Sequence, residues 1–241
     1  MRIGIIGLGR LGKLIAKYLA QDFDLIAYDL APIAKKSPLK VTSLNEVCKS
    51  PIVIVAVPIS DFEKVIKKIA PKLAPETLVI DVCSVKEHPI KVMQKFIPKN
   101  CFILGTHPMF GPDSAQKTLW GSKLVLCPVK IPPKYFLAIK NYLQTHGLKI
   151  ITTTAQRHDQ EMAETLILTH LIGRTLMELG STAKEIDTKG YRRLMRILET
   201  VENDSWQLFC DMNNYNRYSK KLRSNFLKSF KKVCSKLQRI K

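Results

Sequence analysis

The chain contains no long apolar run: none of its stretches reaches the roughly 18 consecutive residues that a membrane-spanning helix requires. Its apolar start, MRIGIIGLGRLG, is interrupted by glycines and arginine and lacks a small-residue cleavage site. It therefore predicts a strand and a turn, and not a signal peptide. Because 46% of the 241 residues are hydrophobic, we expect one large or two small globular domains without membrane association.

The cysteines lack any C-x-x-C pair or compact framework, which argues against a structural metal site and a disulfide scaffold. Several lie in apolar, strand-like runs, where a reduced thiol behaves as a small hydrophobic side chain. We therefore assign no metal ligands and expect a reducing, cytoplasmic location. The cysteine positions are Cys48, Cys83, Cys101, Cys127, Cys210 and Cys234.

Acidic residues are scarce: 20 stand against 39 lysines and arginines, for a formal net charge of +19. The excess implies anionic partners, from small-molecule phosphates and carboxylates to nucleic acid or acidic lipid. No acidic residue follows Asp211, and the C-terminal segment has the spacing of a helix with one basic and one apolar face. The apolar face consists of Leu222, Phe226, Phe230, Val233, Leu237 and Ile240.

This basic C-terminal helix is predicted to be a docking or dimerisation helix, the alternative being a surface for acidic lipid or nucleic acid. No aromatic stacking platform is interleaved with its basic residues, so we do not expect nucleic-acid binding. We expect a homodimer, because the apolar helices of the C-terminal part are too few to cover one another.

The first part of the chain alternates short apolar runs with helix-like stretches, a pattern typical of βαβ units on a parallel sheet. Runs such as PIVIVAVP and TLVIDV are continuously apolar, as strands covered on both faces should be. Helical spacing is present over Leu11–Ala20, Ser60–Ile69 and Pro89–Phe96. The predicted strands are Arg2–Ile6, Leu25–Tyr28, Ile52–Ala56, Leu78–Val82, Phe102–Leu104, Lys123–Cys127 and Lys149–Thr152.

After Thr154 the pattern becomes helical, with no convincing strand from Gln156 onward. Apolar residues recur at helical spacing in HDQEMAETLILTHLIGRTLMEL and in RRLMRILETVENDSWQLFCDM, with a break near Gly180–Gly190. The sequence therefore predicts an α/β fold: a doubly wound parallel sheet over residues 1–153, followed by an all-helical domain over residues 154–241.

The segment GLGRLG matches G-x-G-x-x-G between a predicted strand and a predicted helix. Gly7 allows the tight turn, Gly9 lets the backbone approach a pyrophosphate, and Gly12 lets the helix pack on the strand. The helix N-terminus then directs N–H groups at the phosphates. This context predicts a Rossmann dinucleotide-binding domain. Its candidate cofactor loop is Gly7, Leu8, Gly9, Arg10, Leu11 and Gly12.

Asp29 ends the second predicted strand, where a carboxylate can bind the ribose 2′-OH and repel a 2′-phosphate. It therefore favours NAD, with NADP as the alternative; a simple turn residue is the competing interpretation of Asp29. The AVPIS segment follows a later strand at the edge where such sheets bind ligand, so Val57 and Pro58 are candidate cofactor contacts.

Three further stretches resemble the prephenate/arogenate dehydrogenase family of tyrosine biosynthesis: DVCSVKEHP (Asp81–Pro89), GTHPMFGPDSA (Gly105–Ala115), and the helical part from His158 to Asn216. THPMFGP and TKGY…END look most like the plant-type arogenate branch. The resemblance implies a Rossmann domain, a helical dimerisation domain, and an active site between them.

In that family a ring alcohol is oxidised by hydride transfer to the nicotinamide, and loss of CO₂ then restores aromaticity. A base must accept the hydroxyl proton, a task that suits a histidine. The resemblance implies that His107 is this base and that Ser84 hydrogen-bonds near the same hydroxyl, although Ser84 could also cap the next helix. It implies that His170 faces the active site and that Arg196 binds a substrate carboxylate.

We add Thr106, which precedes His107, as a candidate substrate contact. A buried His170 could instead be a core residue. Arg196 is the weakest match, since Arg192 or Arg193 could replace it and the plant-type branch does not keep an arginine there.

The plant-type enzymes favour NADP, whereas Asp29 favours NAD, and the residues do not distinguish prephenate from arogenate. We expect no separate regulatory domain for tyrosine. The alternatives are another small Rossmann reductase of the β-hydroxyacid dehydrogenase or pyrroline-carboxylate reductase kind, and a non-catalytic NAD-binding module with a basic surface. No helix carries the lysine pattern expected of those reductases.

Overall fold

The computed structural model describes residues 1–31 and 39–237, which divide into two compact units, Met1–Arg157 and His158–Lys241. Unit 1 carries an eight-stranded sheet flanked by helices. The strands are β1 (Arg2–Ile6), β2 (Asp24–Tyr28), β3 (Lys40–Val41), β4 (Ile52–Val55), β5 (Leu78–Asp81), β6 (Phe102–Pro108), β7 (Lys123–Lys130) and β8 (Lys149–Thr152). The helices of unit 1 are α1 (Arg10–Leu19), α2 (Leu44–Cys48), α3 (Ile59–Ile69), α4 (Glu87–Phe96) and α5 (Pro133–Thr145), with a short 3₁₀ turn at Ala70–Lys72.

The sheet has the strand order β3-β2-β1-β4-β5-β6-β7-β8, and the first six of these strands run parallel. The order reverses between β1 and β4, so their carboxyl ends flank a crevice, the place where such sheets bind ligand. The loops after β1, β2, β4, β5 and β6 all leave from this one edge of the sheet.

Helices cover both faces of the sheet. Successive side chains of a strand point to opposite faces, so each strand contacts both layers of helices. On one face, Ile3 and Ile5 of β1 pack in a core with Ala16 of α1. On the other face, a Cβ on Gly4 would lie 2.7 Å from the side chain of Val47 in α2. Both faces are therefore buried, which explains why the central strands are almost entirely apolar.

Strands β7 and β8 depart from the predicted, fully parallel sheet. β7 is antiparallel to β6, and β8 is parallel to β7. A parallel neighbour needs a crossover connection, usually a helix, that carries the chain back to the other edge. The segment 109–122 contains no helix and turns back at the same edge, where the Met109 N–H donates to the Lys123 carbonyl at 3.0 Å.

Other predicted elements agree with the structure to within a few residues, with three omissions and two extended strands. The omitted elements are β3, α2 and α5; the first two are too short to show a period, and α5 has no fully buried side chain to mark a core-facing stripe. β6 continues past the predicted end at Leu104 to Pro108, so that His107 is part of the strand. β7 likewise continues to Lys130.

The cysteines behave as the sequence predicts. All six lie in the described part of the chain, and none of them forms a disulfide bond. Cys48 is buried in the core, and burial raises the pKa of its thiol to about 11. Such a thiol stays protonated at neutral pH and acts as a packing group.

Unit 2 is helical, and its described residues contain no strand. Its first helix starts before the division of the chain: α6 (Ala155–Met162) continues through a π-helical turn (Ala163–Ile167) into α7 (Leu168–Glu178). It is followed by α8 (Lys189–Val201), α9 (Trp206–Tyr215) and α10 (Ser219–Leu237). The predicted break near Gly180–Gly190 corresponds to the non-helical residues between α7 and α8.

The basic C-terminal helix of the sequence analysis is α10. Four of its apolar side chains, those of Leu227, Phe230, Val233 and Leu237, are each more than half exposed. Ile240, which the sequence places on the same face, lies outside the described residues. Within residues 1–31 and 39–237, the structure has no helix with the length and apolar character needed to cross a membrane.

Candidate active site

The glycine-rich loop connects β1 to α1, and each of its glycines meets a different constraint. Gly7 has a φ of +95°, and a Cβ there would lie 2.4 Å from the Ala56 carbonyl oxygen. A Cβ on Gly12 would lie 2.0 Å from the Gly7 carbonyl oxygen, whereas one on Gly9 would have no atom within 4 Å. Gly7 and Gly12 are therefore required by packing, and Gly9 leaves the backbone open to a ligand.

Gly9 is also the N-cap residue of α1, and no side chain caps this helix. The start of α1 therefore presents main-chain N–H groups and the positive end of the helix dipole beside the open space at Gly9. This donor set fits a pyrophosphate. The other candidate residues of this loop differ in exposure: Leu8 is buried in the core, Leu11 packs partly against the core, and Arg10 is exposed. Val57 and Pro58 follow β4, on the far side of the crevice.

Asp29 follows the last residue of β2 and already makes two hydrogen bonds. Its carboxylate accepts from the N–H of Leu8 at 2.5 Å and from the N–H of Ala31 at 2.8 Å. It is therefore a turn residue as well as a candidate ribose contact, and it ties the glycine-rich loop to the end of β2. Carboxylate oxygens accept more than one hydrogen bond each, so ribose hydroxyls can be added to these two.

The segment that follows β6 is attached to the glycine-rich loop and to α1. Arg10 pairs with Asp113 at 2.5 Å, the Tyr18 hydroxyl donates to the Ala115 carbonyl at 2.7 Å, and Lys17 donates to the Gln116 carbonyl at 2.8 Å. The segment that carries the GPDSA sequence is thus held beside the glycine-rich loop.

The ends of β5 and β6 are joined by a buried polar cluster. The ammonium of Lys86 donates to the Asp81 carboxylate and to the Thr106 carbonyl, and both charged side chains are fully buried. The Thr106 hydroxyl donates to the Asp81 carbonyl at 2.6 Å, and the Cys83 N–H donates to the Asp81 carboxylate at 3.0 Å. Burial raises the pKa of the Asp81 carboxyl, an effect that the Lys86 ammonium and the hydrogen bonds to Asp81 oppose.

Ser84 and His107 lie on the two strand ends that this cluster joins. Ser84 follows β5, and His107 is the last residue but one of β6 and is almost fully buried. The Ser84 hydroxyl is shielded from solvent and has no hydrogen-bond partner among the residues that the structure describes. The N-cap residue of α4 is Lys86, so the alternative role of Ser84 as a helix cap is wrong. A buried hydroxyl of this kind is suited to a bound polar group.

In unit 2, the candidate substrate residue His170 is buried on α7, directly after the π-helical turn. Such turns occur often at functional sites. Its Nε2 atom lies 3.6 Å from the Asp204 carboxylate, and its Nδ1 atom has no hydrogen-bond partner in the described part of the chain. Burial lowers the pKa of His170, and this effect exceeds the opposite effect of Asp204.

Arg174, one helical turn after His170, completes a cluster that sequence reasoning missed. Its guanidinium donates to the Asp204 carbonyl and lies 5.7 Å from the Trp206 ring centroid, while its buried Nε has no partner among the described residues. The signal in the sequence was the spacing H-x-x-x-R on one helix face. Arg196, the predicted carboxylate-binding residue, is exposed on α8.

A separate cavity of about 630 Å³ lies in unit 1 between α4, β7 and the residues that follow β8. Its lining includes Ile90, Cys127, Thr153 and Arg157, and none of the candidate catalytic or cofactor residues. The cavity therefore gives no independent support to the assignment of the site.

The fold and the glycine-rich loop define a Rossmann-type dinucleotide-binding protein. Residues 36–152 match a family model described as "Prephenate dehydrogenase, nucleotide-binding domain", and residues 175–241 match one described as "TYRAAT1-like, C-terminal domain". The chain belongs to the prephenate/arogenate dehydrogenase family.

Two curated relatives extend this similarity over most of the chain. Arogenate dehydrogenase 2, chloroplastic, of Arabidopsis thaliana is 30% identical over 232 residues, which cover 90% of this chain and 64% of that protein. A protein of Methanocaldococcus jannaschii described as a probable arogenate/prephenate dehydrogenase is 30% identical over 251 residues, covering 97% of this chain and 56% of that protein. The chain thus spans less than two thirds of the length of these relatives.

Solved structures support the fold over the whole chain. The prephenate dehydrogenase of A. aeolicus, solved in complex with hydroxyphenyl propionate and NAD+, has a TM-score of 0.79 at 21% identity and covers 99% of this chain and 91% of that one. Synechocystis arogenate dehydrogenase has a TM-score of 0.72 at 21% identity, covering 99% of this chain and 92% of that one. At this identity the similarity describes the architecture.

Proposed function

We propose that the protein catalyses the oxidative decarboxylation of prephenate or arogenate with hydride transfer to NAD, giving 4-hydroxyphenylpyruvate or tyrosine. The observation that carries the proposal is the position of Ser84 and His107 at neighbouring strand ends, on the same sheet edge as the glycine-rich loop. Family membership supplies the substrate class. We also propose that the protein acts in tyrosine biosynthesis and that it is located in the cytoplasm.

A bound nicotinamide cofactor would supply the acceptor for the hydride of the substrate's carbinol carbon. His107 takes the hydroxyl proton as the carbinol becomes a carbonyl. Ser84 donates a hydrogen bond to the same oxygen and orients it toward His107, and Thr106 holds the neighbouring backbone. The new carbonyl is conjugated with the carbon that bears the carboxylate, so CO₂ leaves and its electron pair restores the aromatic ring. The ring oxygen, which becomes a phenolate in this step, takes back the proton held by His107.

NAD is the proposed cofactor because of the Asp29 carboxylate, which would repel the 2′-phosphate of NADP. The hydrogen bonds from Leu8 and Ala31 fix this carboxylate at the end of β2, where the ribose is bound in this fold. Gly9 and the start of α1 would hold the pyrophosphate, and Val57 and Pro58, which follow β4, would be further cofactor contacts.

Within unit 2, the cluster of His170, Arg174 and Asp204 is a candidate for recognising the charged groups of a substrate. His170 and Arg174 offer buried nitrogen atoms without partners among the described residues, and the Nε–H group of the Arg174 guanidinium is a donor that suits a carboxylate. Asp204 adds a negative charge 3.6 Å from His170. Because arogenate carries an ammonium where prephenate carries a keto group, this carboxylate favours arogenate. Arg196 remains a second candidate for binding a substrate carboxylate.

A homodimer is proposed on the basis of α10. One side of this helix exposes the apolar side chains of Leu227, Phe230, Val233 and Leu237, a patch that a second copy would cover. The opposite side carries the basic residues and stays in solvent. Sedimentation that gave a monomer at micromolar concentration would contradict this part of the proposal.

The decisive assay follows reduced-nicotinamide absorbance with purified protein, NAD or NADP, and prephenate or arogenate. The proposal predicts turnover with NAD, and with arogenate in preference to prephenate. Absence of turnover with all four pairs, while NAD still binds in a titration, would instead favour another Rossmann reductase or a non-catalytic NAD-binding module.

A further inference from the structure

The buried ion pair of Asp81 and Lys86 is not explained by the proposed chemistry. Both side chains are fully buried, and removing two charges from water costs free energy that their mutual attraction only partly offsets. Apolar residues of similar volume at such positions are often as stable or more stable. A contribution to stability is therefore a weak explanation for the pair.

The contacts of the pair are directed at the two proposed catalytic segments. The Asp81 carboxylate accepts from Lys86 and from the Cys83 N–H, so Ser84 lies inside a closed turn between these contacts. The Lys86 ammonium also donates to the Thr106 carbonyl, which belongs to the peptide unit that leads into His107. The pair thus bridges the segment of Ser84 and the segment of His107.

Two further contacts fix the same strand ends. The Thr106 hydroxyl donates to the Asp81 carbonyl at 2.6 Å, across neighbouring strands. Gly105 pairs with Asp81 in the sheet, and a Cβ on Gly105 would lie 3.3 Å from the second carboxylate oxygen of Asp81. The carboxylate is therefore enclosed between β5 and β6.

We infer that Asp81 and Lys86 are positioning residues, which hold the Ser84 hydroxyl and the His107 imidazole in register for proton and hydride transfer. This inference rests on the proposed function of Ser84 and His107. Displacement of a catalytic group by about 1 Å can lower turnover by about 10²-fold. Loss of the pair should therefore affect the chemical step more than the binding of substrate or cofactor.

The test replaces both charges together, because a single substitution would leave an unpaired buried charge and could prevent folding. The variant Asp81→Leu/Lys86→Met is compared with Asp24→Leu/Arg2→Met, which removes an ion pair whose side chains are 58% and 51% exposed. We expect Asp81→Leu/Lys86→Met to lower kcat by about 10²-fold, with KM and the Kd for NAD within about threefold of the parent protein. The control should keep the parent kcat.

The primary deuterium isotope effect of substrate labelled at the carbinol carbon separates positioning from general damage. It should rise in Asp81→Leu/Lys86→Met, because hydride transfer becomes slower than the other steps. An unchanged kcat in a folded variant would overturn the inference, and so would a parallel loss of kcat, KM and NAD affinity without a larger isotope effect. If the double variant does not fold, the variant Thr106→Val, which removes the hydroxyl that donates to the Asp81 carbonyl, tests the inference instead. A kcat about fivefold lower than that of the parent protein at constant KM supports the inference, and an unchanged kcat overturns it.

If the parent protein turns over none of the four substrate and cofactor pairs, the proposed function fails and the inference is decided by structure. A crystal structure of Asp81→Leu/Lys86→Met should then show the His107 imidazole displaced by about 1 Å or more relative to β5. An unmoved imidazole and Ser84 hydroxyl would overturn the positioning role independently of activity.

Discussion

A Cβ on Gly12 would lie 2.0 Å from the carbonyl oxygen of Gly7, so the first helix and the first strand meet at a distance that only glycine permits. The roles of Gly9 and Gly12 can therefore be distinguished by experiment. Gly12→Ala should cost about 3 kcal/mol of unfolding free energy, because the new methyl group meets backbone and not a movable side chain. Gly9→Ala should leave stability unchanged, since nothing lies within 4 Å of its Cβ position, but should weaken NAD binding on the order of tenfold.

These expectations are checked by urea unfolding and by an NAD titration of each variant. Gly190→Ala is the matched control, since its Cβ would make only an ordinary contact at 3.6 Å in unit 2. Gly190→Ala should leave NAD binding unchanged and alter the unfolding free energy by no more than about 1 kcal/mol. Tight NAD binding by Gly9→Ala would contradict the assignment of this loop to the pyrophosphate.

Asp29 is predicted to determine cofactor choice. Asp29→Asn keeps a side chain of the same shape, whose amide oxygen can still accept from the Leu8 N–H, but removes the negative charge. We expect the preference for NAD over NADP, measured as the ratio of the two Kd values, to fall by at least about tenfold. A parent protein that binds NADP more tightly than NAD would contradict the role given to Asp29.

His170 should make stability depend on pH. Burial lowers the pKa of His170 in the folded protein below its usual value near 6.5. As the pH falls below about 6.5, His170 of the unfolded chain binds a proton before His170 of the folded protein does. The free energy of unfolding therefore decreases. Urea unfolding at several pH values should show this loss below about pH 6.5, and a smaller loss in His170→Asn. Equal slopes for the two proteins would indicate that His170 is not a source of the pH dependence.

The apolar side of α10 is predicted to hold the dimer together. Phe230→Asp places a charge in the exposed patch and should give a monomer in sedimentation at micromolar concentration. Ser235→Asp adds the same charge to an exposed position on the opposite side of the helix and should leave the dimer intact. Dissociation by both substitutions would indicate that net charge, and not the apolar patch, controls assembly.

The fold was largely predictable because its signals are local. Continuous apolar runs marked the central strands, and the glycine spacing marked the turn after β1. The reversal of β7 was not predictable in the same way, since it depends on where the segment 109–122 returns to the sheet, and nothing in the local pattern of Lys123–Cys127 distinguishes the two directions.

The candidate site was predictable only where residues belong to a recognisable motif, as Ser84 and His107 do. The contacts of Asp81 and Lys86 with Thr106 on the neighbouring strand β6 became visible only with the sheet register. Asp204 and Arg174 are 30 positions apart in the chain and are joined by one hydrogen bond in the folded helical unit. Lys86, a charged residue after an apolar strand in DVCSVKEHP, is the sequence feature that marks the first cluster, and the spacing H-x-x-x-R of His170 and Arg174 is the one that marks the second.

The central claim is that His107 accepts the hydroxyl proton during hydride transfer, and turnover by the parent protein and His107→Asn tests it most directly. The account predicts NAD reduction by the parent protein with arogenate or prephenate. It predicts a loss of at least about 10²-fold in His107→Asn, with the Kd for NAD unchanged. Turnover by His107→Asn at close to the parent rate would contradict the claim.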